Sequence, residues 1–388
     1  MRLAMFQPGQ IAAAAPGPGA RPAPPEPSAR VTLRPIGAAI DLAGEWAALA
    51  ARAAEPNPFT EQWFAAASLA HFGRFYDLRL VEVRRSARLI GVMVLSIERG
   101  YARLPLRYVQ NWWHHQMFLD APQVEAGQER AFWEAALKAL DAADWAPNFL
   151  HVRGIAEDGP LHRALAEVRA APIVHRRVRA FLESDLSAEA YYEQAVRAKK
   201  RKELRRQKNR LAELGGIAFH VLADEAELRP WCDAYLALEK AGWKGKAGTA
   251  LACDPHAEAF FREVVAAAFA AGRLQFRRLD VGGKPIAMLV NFLTPPGSYS
   301  FKTVFDEEYA RFSPGVLLQI ENLDMLERPD IAWMDSCAVE DHPMIDSLWT
   351  ERRSIVRVTV RLKGVRRGAA YALVRGLERV AALRKGRR

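Results

Sequence analysis

The stretch SYSFKTVFDEEYARFSPGVLLQIENLDML, residues 298–326, decides how this chain reads. It opens as an alternating strand in which Tyr299, Phe301 and Val304 share burial. A charged turn follows (Asp306, Glu307, Glu308) and leads into Ser313-Pro314-Gly315. Serine is a favoured N-cap, and proline at the first helical position loses no bond, because that N–H would be unpaired anyway. Val316, Leu317, Ile320, Leu323 and Leu326 then recur at helical spacing. A strand that feeds a glycine-containing turn into a helix leaves several backbone N–H groups without acceptors at the helix start. Such a terminus suits an anion, a pyrophosphate among them. The same pattern also fits an ordinary strand–turn–helix connection.

Working outward, 388 residues suffice for two domains. Half are hydrophobic and about a quarter charged, as in a soluble globular protein. Cys232, Cys253 and Cys337 are widely spaced, with no CxxC, which points to a reducing, cytoplasmic compartment and away from a structural zinc site. The apolar runs Val264–Ala271 and Ile286–Val290 are far too short to span a bilayer. The net charge of +10 is local rather than general. Residues 197–210 hold nine basic side chains against one Glu, and 361–388 hold ten against one, so the remainder is net negative.

Residues 1–30 are rich in Pro, Ala and Gly and lack the apolar core of an export signal, so a disordered tail is expected. From 31 to 175 the order is strand, helices at 40–53 and 61–72, strands at 78–84 and 89–98, an aromatic stretch (101–118), a helix at 127–142, a strand at 149–152 and a helix at 160–168. A second unit, 176–363, restarts with a strand at 178–182 and one long basic helix, 188–214. A strand at 217–222, helices at 225–239 and 255–271, and three strands joined first by Gly282-Gly283 follow. The opening helix and strands at 331–335 and 354–362 complete it. Residues 364–388 form a basic amphipathic helix. The expected class is α+β, with mostly antiparallel sheets flanked by helices.

That order resembles a GNAT acyltransferase domain. The second unit is similar to the cellulose-biosynthesis-type acetyltransferases, distant relatives of the Fem-type aminoacyl transferases. The residues that carry the resemblance are AKKRKELRRQKNRLAELGGIAFHV (198–221), LALEKAGWKG (236–245), GGKPIAMLVNF (282–292), FDEEYARFSPGVLLQ (305–319) and Asp335 at the end of the next strand. The first unit looks like the degenerate partner in a tandem GNAT arrangement. The family pattern usually follows the aspartate with a glycine-rich turn, whereas here the segment is DSCAVEDHPMIDSLWTERRSI (335–355). In that departure the chain resembles the bacterial ceramide synthase branch.

The resemblance implies acyl-CoA as co-substrate, with no permanently bound cofactor and no metal. Its carbonyl would meet a backbone N–H of the strand Phe301–Phe305, with Val304 and Phe305 among the donor-binding residues, and its pyrophosphate would meet Ser313, Pro314, Gly315, Val316 and Leu317. For proton transfer the EDHP motif offers His342, with Asp341, Glu340 or Asp335 to orient it or to act through water. A solvated turn at EDHP, and a buried capping aspartate at 335, are the bland alternatives. Trp112, Trp113, His114 and His115 could line a substrate pocket or form a core-edge aromatic cluster. Successive histidines point to opposite sides, so one alone can face a given cleft. Glu239, Trp243 and Lys244 would cover the acceptor site, and Lys302 reads as a plain surface charge.

The basic helix could face CoA phosphates, anionic lipid headgroups or nucleic acid. No aromatic residue interleaves its cations, so no nucleic-acid partner is expected. The C-terminal helix suits a membrane interface or a docked helix with an arginine-rich outer face. The expected function is acyl-CoA-dependent N-acylation of a lipid-like amine, such as a sphingoid base, at the inner face of a membrane. Acetyl or aminoacyl transfer to a polysaccharide or peptidoglycan amine, and nucleic-acid binding on an inactive GNAT scaffold, are the alternatives.

Overall fold

The computed structural model describes residues 28–385, so the tail expected to be disordered lies, through residue 27, outside the described residues. The N-terminal half supplies β1 (Arg30–Pro35), β2 (Leu78–Arg85), β3 (Arg88–Tyr101), β4 (Leu104–Asn111), β5 (Gln123–Val124), β6 (Phe149–Ala156) and β7 (Ile173–Glu183). The C-terminal half supplies β8 (Ile217–Val221), β9 (Leu274–Val281), β10 (Lys284–Thr294), β11 (Gly297–Phe305), β12 (Trp333–Asp335) and β13 (Glu351–Arg361). All belong to one sheet, ordered β1-β2-β3-β4-β6-β13-β7-β12-β11-β10-β9-β8, with β5 beside β3. The mixed α+β class is as expected, with helices flanking a mostly antiparallel sheet.

Two pairings are parallel, one in each half. β4 meets β6 only at Val109–Leu150 and Gln110–His151. β11 meets β12 only from Gly297–Trp333 to Tyr299–Asp335. Beyond those contacts the strands diverge, and a strand that leaves its neighbour presents unpaired backbone groups. The halves also interlock. β13 inserts between β6 and β7, antiparallel to both, while β7 reaches across to β12.

An aromatic core joins the halves. Phe59 and Phe64 from the first pack with Phe260, Phe292 and Phe301 from the second, all at most 2% exposed. Phe64 and Phe260 lie edge to face at 5.4 Å. Each such ring stabilises by about 1.5–3 kcal/mol relative to exposure, so the halves are held as one body.

Two local expectations are corrected. The aromatic stretch after residue 101 contains β4, whose Leu104–Asn111 pairs with β3. The basic segment is two helices, Ala188–Ala195 and Ala198–Ala212, rather than one. Val196 takes an extended conformation at the break and buries its side chain to 2% exposure, and Arg201 donates back to the Val196 carbonyl at 2.6 Å.

Candidate functional site

The site is built where β11 leaves β12. Between β10 and β11 the register shifts at Val290/Asn291, so Lys302 faces Val290 and Ser300 faces Asn291 with Phe301 as the extra residue. Such a bulge bends a strand and re-aims its side chains. Beyond Tyr299, β11 pairs with β10 on one edge and has no strand on the other among the described residues. Val304 and Phe305 end this open edge.

The helix Pro314–Glu321 follows, buried from Pro314 through Gln319. Ser313 does not cap it through its side chain. It sits in the left-handed region (φ 54°, ψ 49°), and its carbonyl accepts from the Leu317 N–H at 3.0 Å. The N–H groups of Gly315 and Val316 have no acceptor within the helix. Gly315 is tightly covered, since a Cβ there would stand 3.0 Å from Met344 Sδ and 3.4 Å from Phe305.

A chain of buried amides fixes this helix to the strands. Asn291 donates to Gln275 (2.8 Å) and Asn322 (2.7 Å), Asn322 donates to Gln319 (3.3 Å), and Gln319 donates to Thr303 (3.4 Å). Sequence reading missed this network. Its signal was present as polar residues at otherwise apolar positions of strand and helix.

Lys302 is the principal surprise. It is half-buried rather than a surface charge, and its Nζ lies 5.2 Å from the Phe301 ring and 5.8 Å from Phe118. Among the described residues no carboxylate pairs with it. Burial, with Lys244 adding to it, pushes its pKa down to about 8. An amine so placed gives up its proton near neutral pH. Glu239 and Lys244 stand close to it, but Glu239 is committed: it accepts from Lys244 Nζ and from the Leu251 N–H, both at 2.8 Å. Trp243 is 63% exposed, its N–H held by Glu307.

The segment Trp112–Asp120 fills the divergence of β4 and β6. Asn111 closes it, donating to the Arg153 carbonyl at 3.0 Å and accepting from the Arg153 N–H at 2.8 Å. His114 is a core residue packed against Phe72 (4.5 Å) and Phe260 (5.3 Å), and burial drives its pKa to about 3. Trp112 is likewise buried. Trp113 and His115 point the other way, into a cavity of about 200 Å³ that Phe118, Arg153, Arg177 and Arg357 also line. Trp113 carries the Arg153 guanidinium 3.8 Å above its ring.

Asp335 is fully buried. One oxygen faces Arg179 at 2.7 Å and Arg353 at 3.2 Å, and the other accepts from the Cys337 N–H at 2.9 Å. Arg179 in turn donates to the Phe118 carbonyl at 3.0 Å. Asp335 thus anchors the segment that sets Phe118 beside Lys302. In the EDHP motif Glu340 and Asp341 are exposed, while His342 is half-buried with an Nδ1 that has no partner among the described residues.

The helix Ala198–Ala212 packs through Leu204 and Leu211 and lies against the turn preceding Ser313. Lys199, Lys200, Lys202 and Arg205 are exposed on it. The C-terminal helix, Val365–Lys385, is docked. Val374 is buried, Tyr101 donates to Glu378 at 2.5 Å, and Arg367 caps the carbonyls of Asp141, Ala143 and Ala146. Its outer side still exposes Leu373, Val380 and Leu383. No helix among the described residues is long and apolar enough to cross a membrane.

Residues 198–342 match the family model of an acetyltransferase (GNAT) domain. Solved structures share the fold over nearly the whole chain at low identity. A crystal structure of FemX superposes with a TM-score of 0.58 at 10% identity, covering 85% of this chain and 98% of its own. A conserved protein of unknown function from Bacteroides thetaiotaomicron gives 0.51 at 9% identity, over 83% and 97% of the two chains. The C-terminal domain of a putative lysylphosphatidylglycerol synthetase from Agrobacterium fabrum gives 0.50 at 12% identity, over 86% and 96%. No curated protein matches the sequence. Residues 198–342 are thus similar to a GNAT acetyltransferase domain.

Proposed function

We propose that this chain transfers an acyl group from acyl-CoA to an amine at the open edge of β11, with Lys302 handling the proton. The observation that carries this is a lysine, half-buried and without a carboxylate partner, whose pKa is about 8 beside an unpaired strand edge. The donor's pyrophosphate rests on the Gly315 and Val316 N–H groups, and its thioester carbonyl takes a backbone N–H from Phe301–Phe305. The acceptor enters from the Trp113 side as an ammonium ion. Lys302 removes a proton, the amine attacks the carbonyl carbon, the C–N bond forms and the C–S bond breaks. CoA leaves as the thiolate and takes up a proton. Moving a proton from an ordinary amine at about 10.4 to Lys302 costs roughly 3 kcal/mol, small against a catalytic barrier.

His342 is the second candidate for proton transfer, favoured by its unpartnered Nδ1. Asp335, through Arg179, is a positioning residue. The comparisons give no support to a sphingoid base as acceptor, so the acceptor is an amine whose remainder lies in the cavity walled by Trp113 and Phe118. The exposed cations of the basic helix and the outer face of the C-terminal helix suit an anionic membrane surface.

The test is release of free CoA by the full chain from acetyl-CoA and from long-chain acyl-CoA, with a panel of amines. Acylation by wild type, with at least a hundredfold loss in Lys302→Met and a small change in His342→Gln, supports the reading. No release with any pair would overturn it.

A further inference from the structure

The cavity between Trp113 and β13 carries more positive charge than the fold uses. On neighbouring strands Arg353 faces Arg179, Ile355 faces Arg177 and Arg357 faces His175, so these side chains form one row on one face of the sheet. The inner part of the row is held by a carboxylate, because Arg179 and Arg353 share Asp335. The outer part has fewer carboxylates than guanidinium groups. Arg153 from β6 joins it and pairs with the buried Asp120 at 3.1 Å. Arg177 and Arg357 have no ion pair with any carboxylate among the described residues. Burial pulls Arg153 down to about 10 and lowers Arg177, and Arg357 adds repulsion to both. Partly buried guanidinium groups that crowd one another are costly unless something negative joins them.

We infer that Arg177 and Arg357, with Arg153, bind the phosphate or carboxylate of the acceptor and thereby make this enzyme selective for anionic amines. The inference rests on the N-acyltransferase reading and names the substrate class for it. Guanidinium forks match the paired oxygens of either anion. A space of about 200 Å³ holds such a group, at ~30 Å³ per water displaced. Phe118 is common to both: it lines this cavity, and its ring lies 5.8 Å from Lys302 Nζ. An acceptor anchored by its anion has to pass the edge of Phe118 to bring its amine to Lys302. The bulk of a larger acceptor has room outward, where a cavity of about 830 Å³ shares Arg153, His175 and Arg357 and is walled by Leu377 and Glu378 of the C-terminal helix.

The first arm of the test measures binding without turnover. Calorimetry of the full chain with inorganic phosphate and with acetate is compared between wild type, Arg177→Gln and Arg357→Gln, with circular dichroism and melting confirming that both variants fold. Arg177→Lys and Arg357→Lys serve should either glutamine variant unfold. Binding of either anion that weakens at least tenfold in both variants is expected. Tighter phosphate would mark a phosphorylated acceptor and tighter acetate a carboxylate-bearing one. No binding, or binding unchanged in both variants because the anion sits at the Gly315 turn, would overturn the inference. The second arm compares CoA release with phosphoethanolamine against ethanolamine, and with glycine against methylamine. At least one anionic partner should show a tenfold higher kcat/KM that falls to parity in Arg357→Gln. Turnover with no preference for anionic amines overturns the inference while leaving N-acyl transfer standing, and anion binding without any turnover overturns only the latter.

Discussion

Lys302 from the C-terminal half rides 5.8 Å from the ring of Phe118, a residue of the N-terminal half. The contact spans the seam between the halves, so neither half alone builds the environment that unsettles the lysine's charge. Phe118 is held there through its own carbonyl, which accepts from Arg179, which is paired with Asp335.

If Lys302 acts as a base, kcat/KM rises with pH until it passes about 8, then levels. Lys302→Arg keeps the charge and cannot deprotonate, so its loss of activity should equal that of Lys302→Met. A pH–rate profile from 6 to 9.5 on all three proteins checks this. An arginine variant of near-wild-type rate would assign the side chain to stabilising negative charge instead.

Asp335→Asn leaves two buried guanidinium groups facing a neutral amide. Breaking a buried pair of this kind costs about 3–5 kcal/mol, so a large fall in melting temperature is expected. Asp335→Asn should also loosen Phe118, and the quantity to follow in any folded fraction is KM for the amine against KM for the acyl donor. The amine value should rise more.

His114 and His151 each sit near pKa 3 because burial disfavours the imidazolium, while the unfolded chain protonates near 6.5. Between those values the unfolded state binds the extra proton, so stability is complete above about 6.5 and falls as pH drops toward 3. By pH 5 the loss is about 2 kcal/mol per histidine. Urea midpoints at pH 7.5 and pH 5 measure it, and His114→Phe should shrink the difference by about half.

Reversing Lys199, Lys202 and Arg205 to glutamate on the exposed face of the basic helix should weaken binding to vesicles containing anionic lipid. Each basic residue near such a surface contributes about 1 kcal/mol, so the triple change should release the protein from vesicles that hold the wild type at low salt. Co-sedimentation at two salt concentrations reads this directly. Equal binding of both proteins would remove the helix from any membrane role.

The strand, turn and helix of residues 298–321 were legible because strand alternation, a proline-glycine turn and helical spacing are local signals. Phe301, Gly315 and Leu317 fall where the sequence puts them. Lys302 was not legible, because its depressed pKa comes from burial in the folded chain and from Lys244, 58 positions earlier in the sequence. The arginine row was hidden for the same reason: Arg153, Arg177 and Arg357 become neighbours only through strand order. Of the paired histidines, alternation said that one would face inward, and packing of His114 against Phe72 and Phe260 decides which.

The insertion of β13 between β6 and β7 bears on how the chain is born. During synthesis, β6 and β7 emerge with their facing edges unfilled, and their intervening strand begins only at Glu351, well over a hundred residues after β7 ends at Glu183. Pairing over such sequence separation is slow, and waiting edges are prone to pair with the wrong partner. Ribosomes that stop before residue 351 would release chains that aggregate, and the two halves expressed separately should be insoluble alone yet recover when refolded together.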